Sequence, residues 1–371
     1  MSLSIAERLK EARTSLNLTL ETVFERTGIA ASALSDFENA KREPRLGQLK
    51  QLAETYRRSL TAFLDDAPFP RQVVLWRERP SSPRAEELEA KLIELAERYH
   101  ALEALCGQHS PMELPVPKDT NKTFDYQAAQ SLARRVRTEL GLGDRPGHTL
   151  LRVLEEVCNV KVFHLSFEPT GSAACSMSEQ FGAAVLLNAN SVRWRRNFDL
   201  AHELFHLLTW KQFRHDIGSG TEVASDDEER LATCFARNLL MPEEIFREAI
   251  NSQRGLERKV GFDGLFEVAR EFDVSIEAVL WQMVFVFNTP VDRIKDAVEL
   301  LSDTVSFRDA RESDSPPIRP VRFVALCNRA IRKGVISTGR YADYLGISRR
   351  EAMKHVERDP IADVEVEVAH S

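Results

Sequence analysis

The chain contains the motif His202-Glu203-Leu204-Phe205-His206, which lies in a run without glycine or proline from Arg196 to Trp210. The apolar positions of this run are typical of a buried helix. On a helix, residues i and i+4 lie about 5 to 6 Å apart on one face, so both imidazoles can be directed at one ion. A single histidine on an apolar helix is usually a core residue, but two histidines and a glutamate at this spacing predict a zinc site.

Glu203 lies next to the two histidines in this pattern. Zinc lowers the pKa of a water molecule and polarises a carbonyl group, and a neighbouring carboxylate can accept the proton that the water loses. The pattern therefore predicts hydrolysis of a peptide bond, with His202 and His206 as zinc ligands and Glu203 as the general base. The group that assists as electrophile is left open, among Tyr, His and Arg residues near the site.

Catalytic zinc usually has three protein ligands, so a third one is needed. The next predicted helix offers Glu229, which shares a face with Ala232 and Ala236, whose small side chains would let two helices approach closely. Glu228 is the alternative on the neighbouring edge. Asp226 and Asp227 fit better as N-cap and first-turn residues of that helix than as ligands. His215 and Glu222, which lie in a Gly/Ser-rich loop, are further alternatives.

Several separated motifs occur in the order found in one known family. They are residues 195–206 around the histidines, the later helix 229–242, an upstream strand at 181–188 and a closing helical segment at 268–275. Over roughly residues 125–285 the chain resembles the ImmA/IrrE family of zinc metallo-endopeptidases. The resemblance implies Zn²⁺ as cofactor and Glu229 as third ligand. It also implies site-specific cleavage of a partner protein, a transcriptional repressor or antitoxin-type regulator, in a stress, phage or mobile-element response.

The strand at 181–188 carries a mechanistic hypothesis. It reads as a strand of the active-site sheet, and an extended substrate would pair along its edge. Such pairing would align the substrate backbone with the histidines.

Residues 5–64 are predicted to form an all-helical domain. Within it, a helix from Leu20, a turn at residues 27–29 and a second helix ending at Glu38 follow the helix-turn-helix plan. The segment resembles the Xre/Cro family of repressor domains. Its predicted DNA contacts are basic side chains for phosphates and hydroxyls for base edges: Arg26, Lys41 and Arg42, and Ser32 and Ser35. Family positions that carry other residues here are Leu20, Phe24 and Ala40, so a fold retained for dimerisation or partner docking is the alternative.

Charge divides the chain. Its 50 basic and 57 acidic residues give a net charge of −7, which excludes a chain-wide basic surface for nucleic acid. Residues 1–66 hold ten residues of each sign, whereas residues 319–358 hold ten basic and three acidic residues. The second of these segments has its own helix-turn-helix outline, ending in Arg349 and Arg350. Either it binds DNA or its positive face packs on the acidic body.

Proline-rich and Ser/Asp-rich stretches divide the chain further. A helix at 84–105, with apolar residues every three or four positions, is expected either to pack on its own protein or to form a homodimer. The predicted organisation is a helix-turn-helix domain, a linker with this helix, a zinc peptidase domain, a second linker, a basic helical module and a tail: residues 1–66, 67–121, 122–301, 302–320, 321–358 and 359–371. The predicted fold class is mainly α with a small β-sheet (α+β).

The sequence also allows an expectation about the cellular compartment and an alternative function. No apolar run reaches the length that crosses a bilayer, and the five cysteines are widely spaced. We therefore expect a cytoplasmic protein with reduced thiols and no membrane partner. The rival function is a DNA-binding transcriptional regulator or antitoxin-like protein whose zinc domain senses or binds without cutting.

Overall fold

The structure is a computed structural model. It describes residues 4–16, 18–56, 58, 60, 63–64, 73–81, 84–107, 113–117, 124–168, 172–214, 223–255, 259–303 and 314–357. His215 and Glu222, which the sequence offers as alternative ligands, lie outside the described residues, as does the predicted tail at 359–371.

The N-terminal segment forms the predicted helix-turn-helix. Its helices are α1 (Ile5–Ser15), α2 (Leu20–Thr27), α3 (Ala31–Glu38) and α4 (Leu46–Thr55). Gly28 ends α2 with a φ of 70°, a left-handed conformation that glycine adopts without strain and that turns the chain sharply into α3. Arg13 donates two hydrogen bonds to Glu38, at 2.7 and 2.8 Å, and so ties α1 to α3.

A four-stranded sheet organises the rest of the described chain, in the order β1-β3-β4-β2. The strands are β1 (Val74–Trp76), β2 (Lys161–Leu165), β3 (Ala173–Ser178) and β4 (Gly182–Asn188). β3 is antiparallel to β1 and β4, and β2 is parallel to β4. β1 lies inside residues 67–121, which the sequence assigns to a linker.

The position of β4 corrects the substrate-pairing hypothesis. β4 lies in the strand predicted at 181–188, but it is hydrogen-bonded to β3 on one side and β2 on the other. Its backbone groups are therefore engaged, and no edge remains for a substrate. Within the part of the chain that the structure describes, the edges of the sheet are β1 and β2.

Alternate residues of β4 face two separate cores, as the two-residue period of a strand requires. Val185 and Leu187 face the core that contains most of the helices between residues 126 and 301, whereas Ala184 and Leu186 face the other core. The helices of the first group are α6 (Tyr126–Glu139), α7 (Leu150–Arg152, continued by a π-turn to Val157), α8 (Arg193–Leu208), α9 (Trp210–Phe213), α10 (Asp226–Leu240), α11 (Glu243–Ser252), α12 (Phe262–Phe272), α13 (Ile276–Phe287) and α14 (Val291–Asp303).

The other face of the sheet is covered by one long helix and the C-terminal helices. These are α5 (Arg84–Cys106), α15 (Val321–Arg332), α16 (Thr338–Leu345) and α17 (Arg349–Glu357). Glu103 of α5 forms ion pairs with Arg322 of α15 and, at 3.0 Å, with Lys161 of β2. All three side chains are buried, so α5 and α15 are anchored on the sheet by a charged network as well as by apolar contacts. α5 thus packs on its own chain.

The predicted α+β fold class is confirmed, because helices surround one small sheet. All five cysteines are free and buried. Among the described helices, none combines the length and the apolar character needed to cross a membrane.

Candidate metal centre and adjoining cavity

The site lies between two long helices that pack on each other, α8 and α10. α8 carries His202 and His206 on one face, and α10 carries Glu228 and Glu229 in its first turn. The N-cap of α10 is Ser225, whose side chain accepts a hydrogen bond from the Glu228 backbone amide at 3.2 Å. Asp226 and Asp227 both lie in the first turn, so Ser225 takes the N-cap position that the sequence assigns to this acidic pair.

The structure brings the three predicted ligand residues together. Nε2 of His202 lies 2.9 Å from Oε2 of Glu229, and Nε2 of His206 lies 3.3 Å from Oε1 of the same carboxylate. One ligand atom from each residue falls within 4.8 Å of the other two. Both histidines are 1% exposed, so the cluster is a buried pair of imidazoles facing one carboxylate. This donor set fits a zinc ion, although the assignment of the three ligands stays a prediction.

Glu228 has a different position from Glu229. It accepts a hydrogen bond from Nδ1 of His206 at 2.8 Å and is held on its other side by Arg214, at 2.8 and 3.1 Å. A carboxylate on the outer nitrogen of an imidazole fixes the ring and its tautomer. The structure therefore places Glu228 behind His206, as an orienting group.

The charges of the cluster are strongly coupled. Burial opposes charge on His206, but hydrogen bonds from its ring to Glu228 and Glu229 prevail and raise its pKa to about 9. Burial lowers the pKa of His202 to about 4. Burial also acts on Glu229, but its bonds to His202 and His206 outweigh that effect and lower its pKa to about 2. The carboxylates of Glu228 and Glu229 thus favour a positive charge at this position.

Glu203 takes no part in these bonded pairs. It is fully buried, and neither of its carboxylate oxygens has a nitrogen or oxygen hydrogen-bond partner among the described residues. Burial raises its pKa to about 7, although His206 and the Cys175 side chain on β3 act in the opposite direction. A buried carboxylate without a nitrogen or oxygen partner is costly, so its presence beside the cluster favours a role in binding or proton transfer.

Asp199 and Arg77 adjoin the cluster on the N-terminal side of α8. Asp199 is fully buried, bonded to Arg77 and 3.3 Å from Nε of Arg195. Burial raises the pKa of Asp199 to about 6, against the effect of both arginines. Arg77 directly follows β1, so the short strand within residues 67–121 places a guanidinium group at the site.

Other parts of the motif around the histidines have structural roles. Asn197 donates a hydrogen bond of 2.8 Å to Asp273, where α12 ends in a left-handed turn before α13. Arg196 is buried and contacts both carboxylate oxygens of Asp314 at 2.8 Å. These two side chains connect α8 to the closing helices and to the segment that precedes α15.

The predicted DNA contacts lie away from this cluster. Ser32 is exposed on α3 and Ser35 is half-buried there, while Lys41 and Arg42 are exposed in the turn that follows. Arg26 forms an ion pair of 3.2 Å with Glu87 of α5. Whether these residues contact DNA stays a prediction.

The sequence analysis did not identify three residues of the site, namely Arg77, Arg214 and Cys175, the neighbour of Glu203. The signal for the first was present, because Val73-Val74-Leu75-Trp76 is a short β-prone run between Pro70 and Pro80. Arg214 carried no comparable signal.

A cavity of about 350 Å³ is lined in part by Phe198 and Thr233, which lie one helical turn from His202 and Glu229. It is lined by side chains from α8, α10 and α13 and by the residue after β1: Trp194, Arg195, Phe198, Thr233, Arg237, Ser275, Glu277, Ala278, Trp281, Phe285 and Arg77.

Comparison with known proteins gives two family matches. Residues 155–282 match the model of the IrrE N-terminal-like domain, a peptidase family numbered M78. Residues 9–63 match a helix-turn-helix model. No curated protein matches the chain.

Among solved structures, the chain matches a Mycobacterium tuberculosis transcriptional regulator at 17% identity and a TM-score of 0.32. The match covers 51% of this chain and 51% of that chain, so the chain spans about half the length of that relative.

Proposed function

Because this chain carries an IrrE N-terminal-like peptidase domain behind a helix-turn-helix domain, we propose that it is a regulatory zinc endopeptidase that cleaves a partner protein. The partner is a transcriptional repressor or an antitoxin-type regulator, and the reaction takes place in the cytoplasm. The observation that carries this proposal is the convergence of His202, His206 and Glu229, with Glu203 beside them as a buried carboxylate without polar partners.

The residues of the chain divide the work. His202, His206 and Glu229 would hold a zinc ion, which would supply Lewis-acid activation at the scissile bond. Glu203 would accept a proton from the attacking water and pass it to the leaving amine. Glu228 and Arg214 keep the His206 ring in one orientation. The buried surroundings exclude bulk water from the charged groups.

The substrate approaches along β1. This strand is an edge of the sheet in the described structure, and Arg77 at its end is bonded to Asp199 one turn before His202. An extended polypeptide can add to a free strand edge by backbone hydrogen bonds. Such pairing would bring the scissile bond to the cluster, and Arg77 is the nearest cation from that strand.

The proposal is tested by incubating the zinc-loaded full chain with the purified products of neighbouring genes, with Glu203→Gln as the control. We expect one defined cleavage in a helix-turn-helix or toxin-antitoxin protein, read by mass spectrometry, and none with the variant. Cleavage that persists in Glu203→Gln, or its absence for every such product, contradicts the proposal.

The helix-turn-helix domain supports a second role in DNA binding. Two basic surfaces compete for this role, Lys41 and Arg42 after α3 and Arg349 and Arg350 on α17, and all four side chains are exposed. Each phosphate contact contributes about one unit to the dependence of log binding constant on log salt. We expect the K41Q/R42Q double variant to reduce this slope by about two, whereas R349Q/R350Q leaves it unchanged. The opposite result would assign DNA binding to the C-terminal module.

A further inference from the structure

The cavity beside the metal cluster extends along the same two helix faces that carry the ligands. Phe198 precedes His202 by four residues on α8, and Thr233 follows Glu229 by four residues on α10. Residues four apart on a helix are neighbours at about 5 to 6 Å. The cavity therefore begins one helical turn from the metal ligands, within reach of a side chain close to the bond being cut.

The chemistry of this cavity differs from that of the metal cluster. Its lining combines aromatic rings with guanidinium groups: Trp194, Phe198, Trp281 and Phe285 with Arg77, Arg195 and Arg237. The only carboxylate among the lining residues, Glu277, is exposed. The walls therefore suit a ligand that is anionic at one point and apolar around it.

Arg237 has the buried guanidinium group that would gain most from an anionic ligand. It is only 8% exposed, and no carboxylate of the described residues forms an ion pair with it or affects its pKa. Its Nε has no hydrogen-bond partner in the described structure, and the Phe285 ring centroid lies 3.6 Å from its Cζ. Burial lowers the pKa of Arg237. A buried guanidinium that lacks an anion is unfavourable, and an incoming carboxylate would remove that cost.

The two other arginines add to the positive charge. Arg77 and Arg195 both contact the single carboxylate of Asp199, which is fully buried beneath them. Both guanidinium groups line the same cavity as Arg237.

We propose that this cavity binds the side-chain carboxylate of an acidic residue in the substrate polypeptide, within two or three residues of the scissile bond, with Arg237 as its principal partner. The inference rests on the proposed function in one respect only, namely that the ligand is the substrate. The aromatic rings pack against the methylene groups and the neighbouring apolar residues of the same segment.

Two pools of hexapeptides test this directly. One pool carries Glu at a fixed third position among randomised uncharged residues, and the other carries Gln there. Binding to the zinc-loaded full-length E203Q protein is followed by tryptophan fluorescence, since Trp194 and Trp281 line the cavity. A hydrogen-bonded charge pair is worth about 1.5 to 3 kcal/mol, so we expect the Glu pool to bind at least about ten-fold more tightly.

Variants locate the preference. In the E203Q background, R237Q should bind both pools equally and R237K should keep most of the preference for Glu. R270Q, which removes the same charge from an exposed residue of α12, should bind like the parent protein. Equal binding of the two pools by the parent protein overturns the proposal, as does a preference that R237Q retains while folding and zinc content are intact.

A separate measurement distinguishes this inference from the peptidase proposal. Cleavage of the neighbouring-gene products by the wild-type chain is followed in parallel. A preference for the Glu pool without cleavage of any neighbouring-gene product contradicts the peptidase function alone, whereas cleavage of such a product together with equal affinities for the two pools contradicts the carboxylate site alone.

Discussion

The space between α8 and α10 has two ends of opposite chemistry. At one end, two imidazoles face Glu229, and Glu228 and Glu203 lie close by. One turn further along, three arginines line a cavity in which Arg237 has no described anionic partner. The two ends therefore favour ligands of opposite charge. A zinc ion and an acidic substrate residue would complete the two ends.

The buried charged side chains around α8 and α10 also differ in whether they have ion-pair partners. Glu228 is fully engaged, with His206 on one side and Arg214 on the other. Glu203 and Arg237 are buried without comparable partners. Buried ionisable groups without an ion-pair partner are candidates for ligand binding.

The largest expected effect is on catalysis at the metal end. Glu203→Gln removes the proton acceptor while preserving shape, and general acid-base groups contribute about 10² to 10⁴ in rate. We expect kcat on a cleaved peptide to fall by about 10³ or more, with zinc content unchanged. A fall of less than ten-fold would show that Glu203 is not the base.

Removal of zinc should be the next largest effect. A ligand present at about 1,000 times its Kd stabilises a fold by about 4 kcal/mol. We therefore expect chelation to lower the Tm of the peptidase domain by several degrees and zinc to restore it. If the Tm does not respond to zinc, the acidic end does not bind the ion.

Glu228→Gln should have a smaller effect on the same end. The substitution keeps the shape of the side chain but weakens its hydrogen bond to the His206 ring. Loss of such an orienting partner lowers metal affinity by about 10- to 100-fold. Competition with a zinc chelator measures this change. A loss as complete as that of a direct ligand would place Glu228 on the metal instead of behind His206.

The smallest effect is expected at the basic end and concerns stability. Arg237→Met removes a buried charge that has no described carboxylate partner and keeps much of the apolar contact, so the ligand-free protein should gain about 1 kcal/mol. For a domain of this size that corresponds to a rise of about 2 to 4 °C in Tm. The exposed control Arg270→Met should leave Tm nearly unchanged. A lower Tm for Arg237→Met would mean that Arg237 stabilises the fold without a ligand.

The metal end was largely predictable from sequence, and the basic end was not. The i, i+4 spacing of His202 and His206 fixes their common face once a helix is accepted, and both helices were predicted. Glu229 and Glu228 are adjacent, so their separate positions depend on the rotation of α10 against α8. Only packing determines that rotation.

The basic end is assembled from distant segments. Arg77 comes from a three-residue strand, Arg195 from α8 and Arg237 from α10, and no local pattern links them. The same applies to the sheet, where the strand at 181–188 was predicted but its interior position was not. Strand order depends on pairings between distant residues, as with β1 and β3 here.

We propose that Glu229, together with His202 and His206, holds the metal, while Glu228 and Glu203 do not. Zinc content per chain, measured by mass spectrometry of the metal after dialysis against buffered free zinc at saturation, tests it most directly. We predict one zinc ion per chain for the wild type, Glu203→Gln and Glu228→Gln, and almost none for Glu229→Gln. Stoichiometric zinc in Glu229→Gln, or its loss only in Glu228→Gln, would contradict the account.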